Sequence, residues 1–137
     1  MFERFVDTSG WAAWADQSER FHPQALALFD EVWNQGGQLI TTSYVLMELT
    51  ALLSRMRMPK VQQVQLLTSL RSDPSIEIVP SDLALETSAW QLWTSRPDKD
   101  WTMVDCTSFV VMPQRSLVEA LTTDRHFEQA GFLRLLK

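Results

Sequence analysis

Short apolar segments alternate with helix-patterned ones from end to end, and this constrains the fold most. Phe2–Val6 is short, apolar-rich and closed by Asp-Thr-Ser-Gly, as a strand entering a loop would be. Ser9 can cap a helical turn over Trp11–Ala15. Pro23–Asn34 carries Leu26, Phe29, Val32 and Trp33 at helical spacing, and Gly36-Gly37 breaks it. Gln38–Thr42 reads as a second strand, and Ser43 can cap a helix from Tyr44 to about Met56. Pro59 opens a helix over Lys60–Leu70, with Val61, Val64, Leu67 and Leu70 at three-residue steps. A third strand, Ile76–Val79, ends at Pro80, and Ser81 or Asp82 opens the helix Leu83–Ser95. Asp100 or Thr102 caps a helix through about Met112, before Pro113. Ala120–Thr122 is a fourth strand, Arg125–Ala130 a short helix, and Phe132–Leu136 a fifth strand.

Such alternation implies a parallel sheet with helices on both faces. Ligands of these sheets bind in the crevice beyond the carboxyl ends of the strands. Asp7 follows the first strand and Asp124 the fourth, so both fall on that edge.

A chain of 137 residues, 45% hydrophobic and 21% charged, suits one compact domain spanning 1–137. The N-terminus lacks the basic start and apolar run of a signal peptide, and no apolar stretch is long enough for a membrane span. The single Cys106 excludes a disulfide framework and reads as a buried thiol. A cytoplasmic protein is expected. The net charge of −5 weighs against nucleic acid as a partner. Residues 49–72, however, hold Arg55, Arg57, Lys60 and Arg71 and no carboxylate, a strip able to hold a phosphate backbone or simply to face solvent.

Two carboxylates resist a structural explanation. Glu48 has Tyr44, Val45, Ala51 and Leu52 one turn away, in a helix apolar nearly all round and therefore expected to be buried. A buried carboxylate needs a metal, a cation or a hydrogen-bond partner, and no basic residue lies one turn away. Asp105 has Ser108, Phe109 and Met112 on its helix face, which must point inward. Asp7 and Asp124 could each be a cap or a site residue. His126 is expected to orient or pack, and His22 carries no signal. A divalent metal is the common explanation for four carboxylates with few cations nearby. Oxygen-only ligation favours Mg²⁺ or Mn²⁺ over zinc and suits phosphodiester hydrolysis. Phosphate-cradling glycine loops and a Gly-x-Ser-x-Gly elbow are absent from the sequence.

These segments resemble the PIN-domain nucleases, and more closely the VapC-type toxins of toxin–antitoxin pairs. The resemblance is carried by Val6-Asp7-Thr8-Ser9, by Met47-Glu48-Leu49, by Trp101 to Phe109 around Asp105, and by Leu121 to Phe127 around Asp124, followed by Ala130-Gly131-Phe132. It implies a three-layer α/β/α sandwich and an Mg²⁺- or Mn²⁺-dependent endoribonuclease. Asp7, Glu48, Asp105 and Asp124 would form the acidic quartet, with a Ser9 or Thr102 hydroxyl in support. It also implies an RNA substrate, a homodimer and a small antitoxin whose tail enters the active-site groove. Two other functions stay open: a PIN-like module that binds RNA or protein without cleaving, and an RNA-processing nuclease without an antitoxin. Asp100 is a fifth acidic candidate, and Trp90 and Trp93, one turn apart, suggest a core or an interface.

Overall fold

The computed structural model describes residues 2–137. Its elements run β1 (Glu3–Val6), α1 (Thr8–Ala15), α2 (His22–Asn34), β2 (Gln38–Thr42), α3 (Ser43–Arg55), α4 (Lys60–Ser72), β3 (Ile76–Val79), α5 (Leu83–Ser95), α6 (Met103–Gln114), β4 (Glu119–Leu121), α7 (Arg125–Gln129) and β5 (Leu133–Arg134). The five strands form one sheet in the order β3-β2-β1-β4-β5, and every pairing is parallel. The chain steps outward from β1 to β2 to β3, then crosses back to the other side of β1. Right-handed crossovers place the helices before and after that reversal on opposite faces, giving the expected α/β/α layering. The reversal lies between β1 and β4, where such sheets bind their ligands.

The pleat of β1 serves both layers. Buried Arg4 faces α2, donating to the Leu28 carbonyl at 3.0 Å and pairing with Glu31 at 3.1 Å. Phe5 faces α7, with its ring centroid 6.2 Å from that of Phe127. Aromatic rings fill each layer: Trp11, Trp14, Phe29 and Trp33 on one side, and Trp101, Phe109, Phe127 and Phe132 on the other.

Several boundaries shift from the sequence expectation. Helix α1 begins at Thr8, so Ser9 lies inside it and Asp7 occupies the cap position. Thr42, not Ser43, caps α3 by accepting from the Val45 amide. Asp82 caps α5 and Thr102 caps α6, leaving Asp100 exposed with no capping role. Pro113 lies inside the last turn of α6. The fourth strand starts one residue earlier than expected, and the fifth shrinks to Leu133–Arg134. In α4 only the C-terminal half of the three-residue apolar spacing meets the core: Leu70 is buried and Leu67 packs against the core, whereas Val61 and Val64 are exposed and Gln63 is buried. Gln63 Nε2 donates to the Met58 carbonyl at 2.9 Å, satisfying a backbone acceptor at the α3–α4 turn.

Gly10 lets α1 lie directly on β4, because a Cβ there would stand 2.1 Å from the Leu121 carbonyl oxygen. Gly10→Ala should therefore lose about 3 kcal/mol in denaturant unfolding, at the upper end of overpacking effects; an unchanged midpoint would contradict this contact.

Candidate metal centre

Parallel strands β1 and β4 deliver Asp7 and Thr122 side by side at the carboxyl edge of the sheet. Asp7 makes no side-chain bond to the helix it precedes. Its Oδ2 accepts instead from the Thr122 hydroxyl at 3.0 Å, and its Oδ1 is buried without a partner. The Thr122 oxygen also accepts the Asp124 amide at 3.0 Å and lies 3.1 Å from the Ser9 hydroxyl, which accepts the Thr123 amide. With its proton donated to Asp7, Thr122 is the acceptor in the Ser9 contact. One buried hydroxyl thus links Asp7, Ser9 and Asp124.

Glu48 lies in the second turn of α3 and is half-buried. The helix is less enclosed than its composition implied: Val45, Leu46, Leu49 and Leu53 are buried, but Met47, Thr50 and Ala51 are exposed. Glu48 Oε1 accepts from the buried Thr8 hydroxyl at 2.6 Å, which ties α3 to the start of α1.

Asp105 sits in the first turn of α6 in a capping box with Thr102. Its Oδ2 accepts the Thr102 amide at 3.0 Å and lies 2.8 Å from His126 Nδ1. Asp124 caps α7 through the His126 amide at 2.9 Å, and His126 Nδ1 is also 3.4 Å from Asp124 Oδ1. Two carboxylate oxygens face Nδ1, which makes this nitrogen the donor in both contacts.

All four carboxylates follow one pattern. One oxygen is held by protein donors, and the other accepts no hydrogen bond among the described residues: Asp7 Oδ1, Glu48 Oε2, Asp105 Oδ1 and Asp124 Oδ2. No lysine or arginine pairs with any of them among the described residues; the ion pairs there involve only His126. Such an oxygen-rich donor set, buried at Asp7 and Asp105 and half-buried at Glu48 and Asp124, fits a hard divalent cation. Ligand atoms of Asp105, Asp124 and His126 lie within 4.8 Å of one another. Asp7 and Glu48 fall outside that tight group but adjoin it electrostatically, since the charges of Asp105 and Glu48 both act on Asp7.

Burial, reinforced by these two neighbours, pushes the Asp7 carboxyl up to about 7 against the opposing pull of the adjacent Thr8 amide and the Thr122 hydroxyl. Burial also raises Asp105, against the opposing pull of the Thr102 amide and His126.

Of the two expected supporting hydroxyls, Ser9 joins the network directly, whereas exposed Thr102 acts through the cap that orients Asp105. Thr8, which as a neighbour of Asp7 in sequence could orient the Asp7 carboxylate, donates its hydroxyl to Glu48 instead, and Thr122, which the sequence did not single out, takes the place on Asp7. Their only signal was the hydroxyl-rich flanks of Asp7 and Asp124. His126, expected to orient or pack, faces Asp105 and Asp124.

Residues 4–133 match the PIN domain family. The chain is 30% identical over 131 residues, 96% of each protein, to the 23S rRNA-specific endonuclease VapC20 of Mycobacterium tuberculosis. The crystal structure of that VapC20, a Sarcin-Ricin loop cleaving toxin, superposes with a TM-score of 0.83 at 28% identity over 97% of this chain and 98% of the other. FitAcB from Neisseria gonorrhoeae shares the fold, with a TM-score of 0.69 at 15% identity over 99% and 97%.

An acid whose pKa rises on folding holds its proton more tightly in the folded state. Metal-free protein should therefore lose stability as pH rises from the ordinary aspartate range near 4 to about 7. Asp7→Asn should flatten that slope and, at pH 8 in EDTA, be the more stable protein by up to ~4 kcal/mol. Denaturant unfolding across this range checks it, and parallel curves for the two proteins would refute it.

Proposed function

Because the chain belongs to the PIN-domain family, we propose that it is a divalent-metal-dependent endoribonuclease, the toxin of a toxin–antitoxin pair. The observation that carries the proposal is the convergence of four half-engaged carboxylates, with the buried Asp7 Oδ1 unpartnered, at the switch point of the sheet. Asp7, Glu48, Asp105 and Asp124 would hold Mg²⁺ or Mn²⁺ through their free oxygens, with His126 beside them. The cation would supply charge neutralisation at the phosphodiester and a water of lowered pKa.

The chain's own residues prepare this chemistry. Thr8, Thr122 and the Thr102 amide each hold one carboxylate oxygen, which fixes the orientation of the carboxylate and leaves its other oxygen free for a cation. His126 presents a proton to Asp105 and Asp124 and draws two like charges together. The burial that leaves Asp7 uncompensated also strengthens every electrostatic contact with a bound cation and phosphate. RNA as substrate rests on the family and on the VapC20 relative, whose target makes 23S rRNA the first substrate to offer.

Purified protein with Mn²⁺ should cleave RNA, and EDTA should stop it. Asp105→Asn should lower the rate by about 100-fold or more, and His126→Ala should weaken Mn²⁺ binding by about 10-fold in calorimetry. Cleavage indifferent to EDTA and to Asp105→Asn would sink the reading. RNA binding without any cleavage would instead favour a non-catalytic module.

A homodimer and an antitoxin partner belong to the same proposal. On α5, Leu83 is 78% exposed, Trp90 54% and Trp93 41%, and such apolar area on one helix supports a protein contact. No helix is long and apolar enough to cross a membrane among the described residues. Sedimentation should show a dimer that Trp90→Ser weakens; a strict monomer at tens of micromolar would count against it.

A further inference from the structure

We propose that the α3–α4 turn forms a track for the phosphodiester backbone of the substrate RNA, made by Arg55, Arg57 and Lys60 and leading to Glu48. The proposal rests on the nuclease reading above and specifies how the strand reaches that site.

Position is the first argument. Arg55 follows Glu48 by seven residues, so it lies on the same face of α3, two turns and about 10 Å along the axis. Helix α1 runs beside α3 over this distance. Thr8 bonds Glu48 at the carboxylate end, and Trp14 and Met58 share one cleft at the other. That cleft, of about 360 Å³, has Trp14, Met58 and Leu66 as apolar wall and the amides of Gln62 and Gln65 beside them. An apolar wall with a few amides suits an unstacked base, and the volume is in the range of small-ligand sites.

Charge is the second. Arg55, Arg57 and Lys60 are exposed, and none makes an ion pair among the described residues. All 17 acidic residues lie outside 49–72. Hence a protein of net charge −5 presents unpaired cations at the α3–α4 turn, next in sequence to Met58 of that cleft and two helical turns from Glu48. Phosphates are the complementary occupant, and no acidic side chain competes for these cations within the segment.

Backbone conformation makes the test clean. Arg57 has φ +62° at the turn that ends α3, with its amide bonded to the Ser54 carbonyl and that of Met58 to Leu53, both at 3.0 Å. Ser116 has φ +56° after α6 with the same pattern, its amide bonded to Pro113 and that of Leu117 to Met112. Glycine is favoured over either residue at such a position. Substituting glycine should stabilise both turns, but only Arg57→Gly removes a cation from the track.

Binding of a fluorescein-labelled single-stranded RNA is measured by anisotropy against salt concentration in EDTA, so that no strand is cut. The triple variant Arg55→Gln, Arg57→Gly, Lys60→Gln should reduce the slope of log K against log salt by about 2, near 0.7 for each phosphate contact. Arg57→Gly alone should reduce it by about 0.7 while raising Tm by about 3 °C. Ser116→Gly should raise Tm similarly and leave RNA binding unchanged. A wild-type slope in the triple variant overturns the track, and if that variant instead loses a protein inhibitor the strip serves that partner. An equal loss of binding in Ser116→Gly also overturns it. Cleavage by all variants at the wild-type rate in Mn²⁺ and limiting RNA would overturn the track and leave the nuclease reading intact. Weakened binding with no cleavage by any protein would keep the track and reject the nuclease.

Discussion

The approach of the first turn of α1 to the end of β4 governs the architecture around the carboxylates. The Asp7 amide donates to the Leu121 carbonyl at 3.2 Å, and Gly10 packs against the same carbonyl without room for a Cβ. This junction sets Asp7 opposite Thr122 and brings the α7 cap, Asp124, within reach of the same hydroxyl. Thr8, one residue on, then anchors Glu48 of α3. Asp105 joins from the other layer through His126, which follows Asp124 by two residues. Three segments far apart in sequence are thereby referred to one strand pair.

Such a cluster opposes folding. Like charges gather where little water reaches them, and no arginine or lysine offsets them among the described residues. Asp7 shows the consequence: burial moves its carboxyl up to about 7, and one oxygen stays without a partner. Proteins break local rules in this way mainly at functional sites, and recover the stability elsewhere. Here the recovery lies in two aromatic layers and in the Arg4 ion pairs, all behind the sheet edge that carries the carboxylates. The same division separates a rigid base from a reactive rim, because the strands end where the site begins.

Much of the fold was legible because its causes are local. Gln38–Thr42, Ile76–Val79 and Leu83–Ser95 coincide with their expected spans, since glycines, prolines and caps bound them directly. On α4 the spacing showed which residues could share a face, but not that Leu67 and Leu70 would meet the core while Val61 and Val64 stay exposed. Gln63 wins the buried position through its bond to Met58, a long-armed amide serving a turn. The α3 helix was expected to be enclosed on composition alone, and its exposed Met47 and Ala51 show that an apolar residue needs no apolar neighbour.

The sequence by itself determined the alternating α/β order, and with it the placing of Asp7 and Asp124 at the carboxyl edge, because strand and helix periodicities are properties of adjacent residues. It also marked Glu48 and Asp105 as carboxylates in apolar helices. Only the tertiary structure decided how each is held: Thr8 for Glu48, Thr122 for Asp7, and His126 Nδ1 facing both Asp105 and Asp124. Those contacts join residues up to 115 positions apart. No local pattern encodes them, because they depend on strand order and on the approach of α1 to β4.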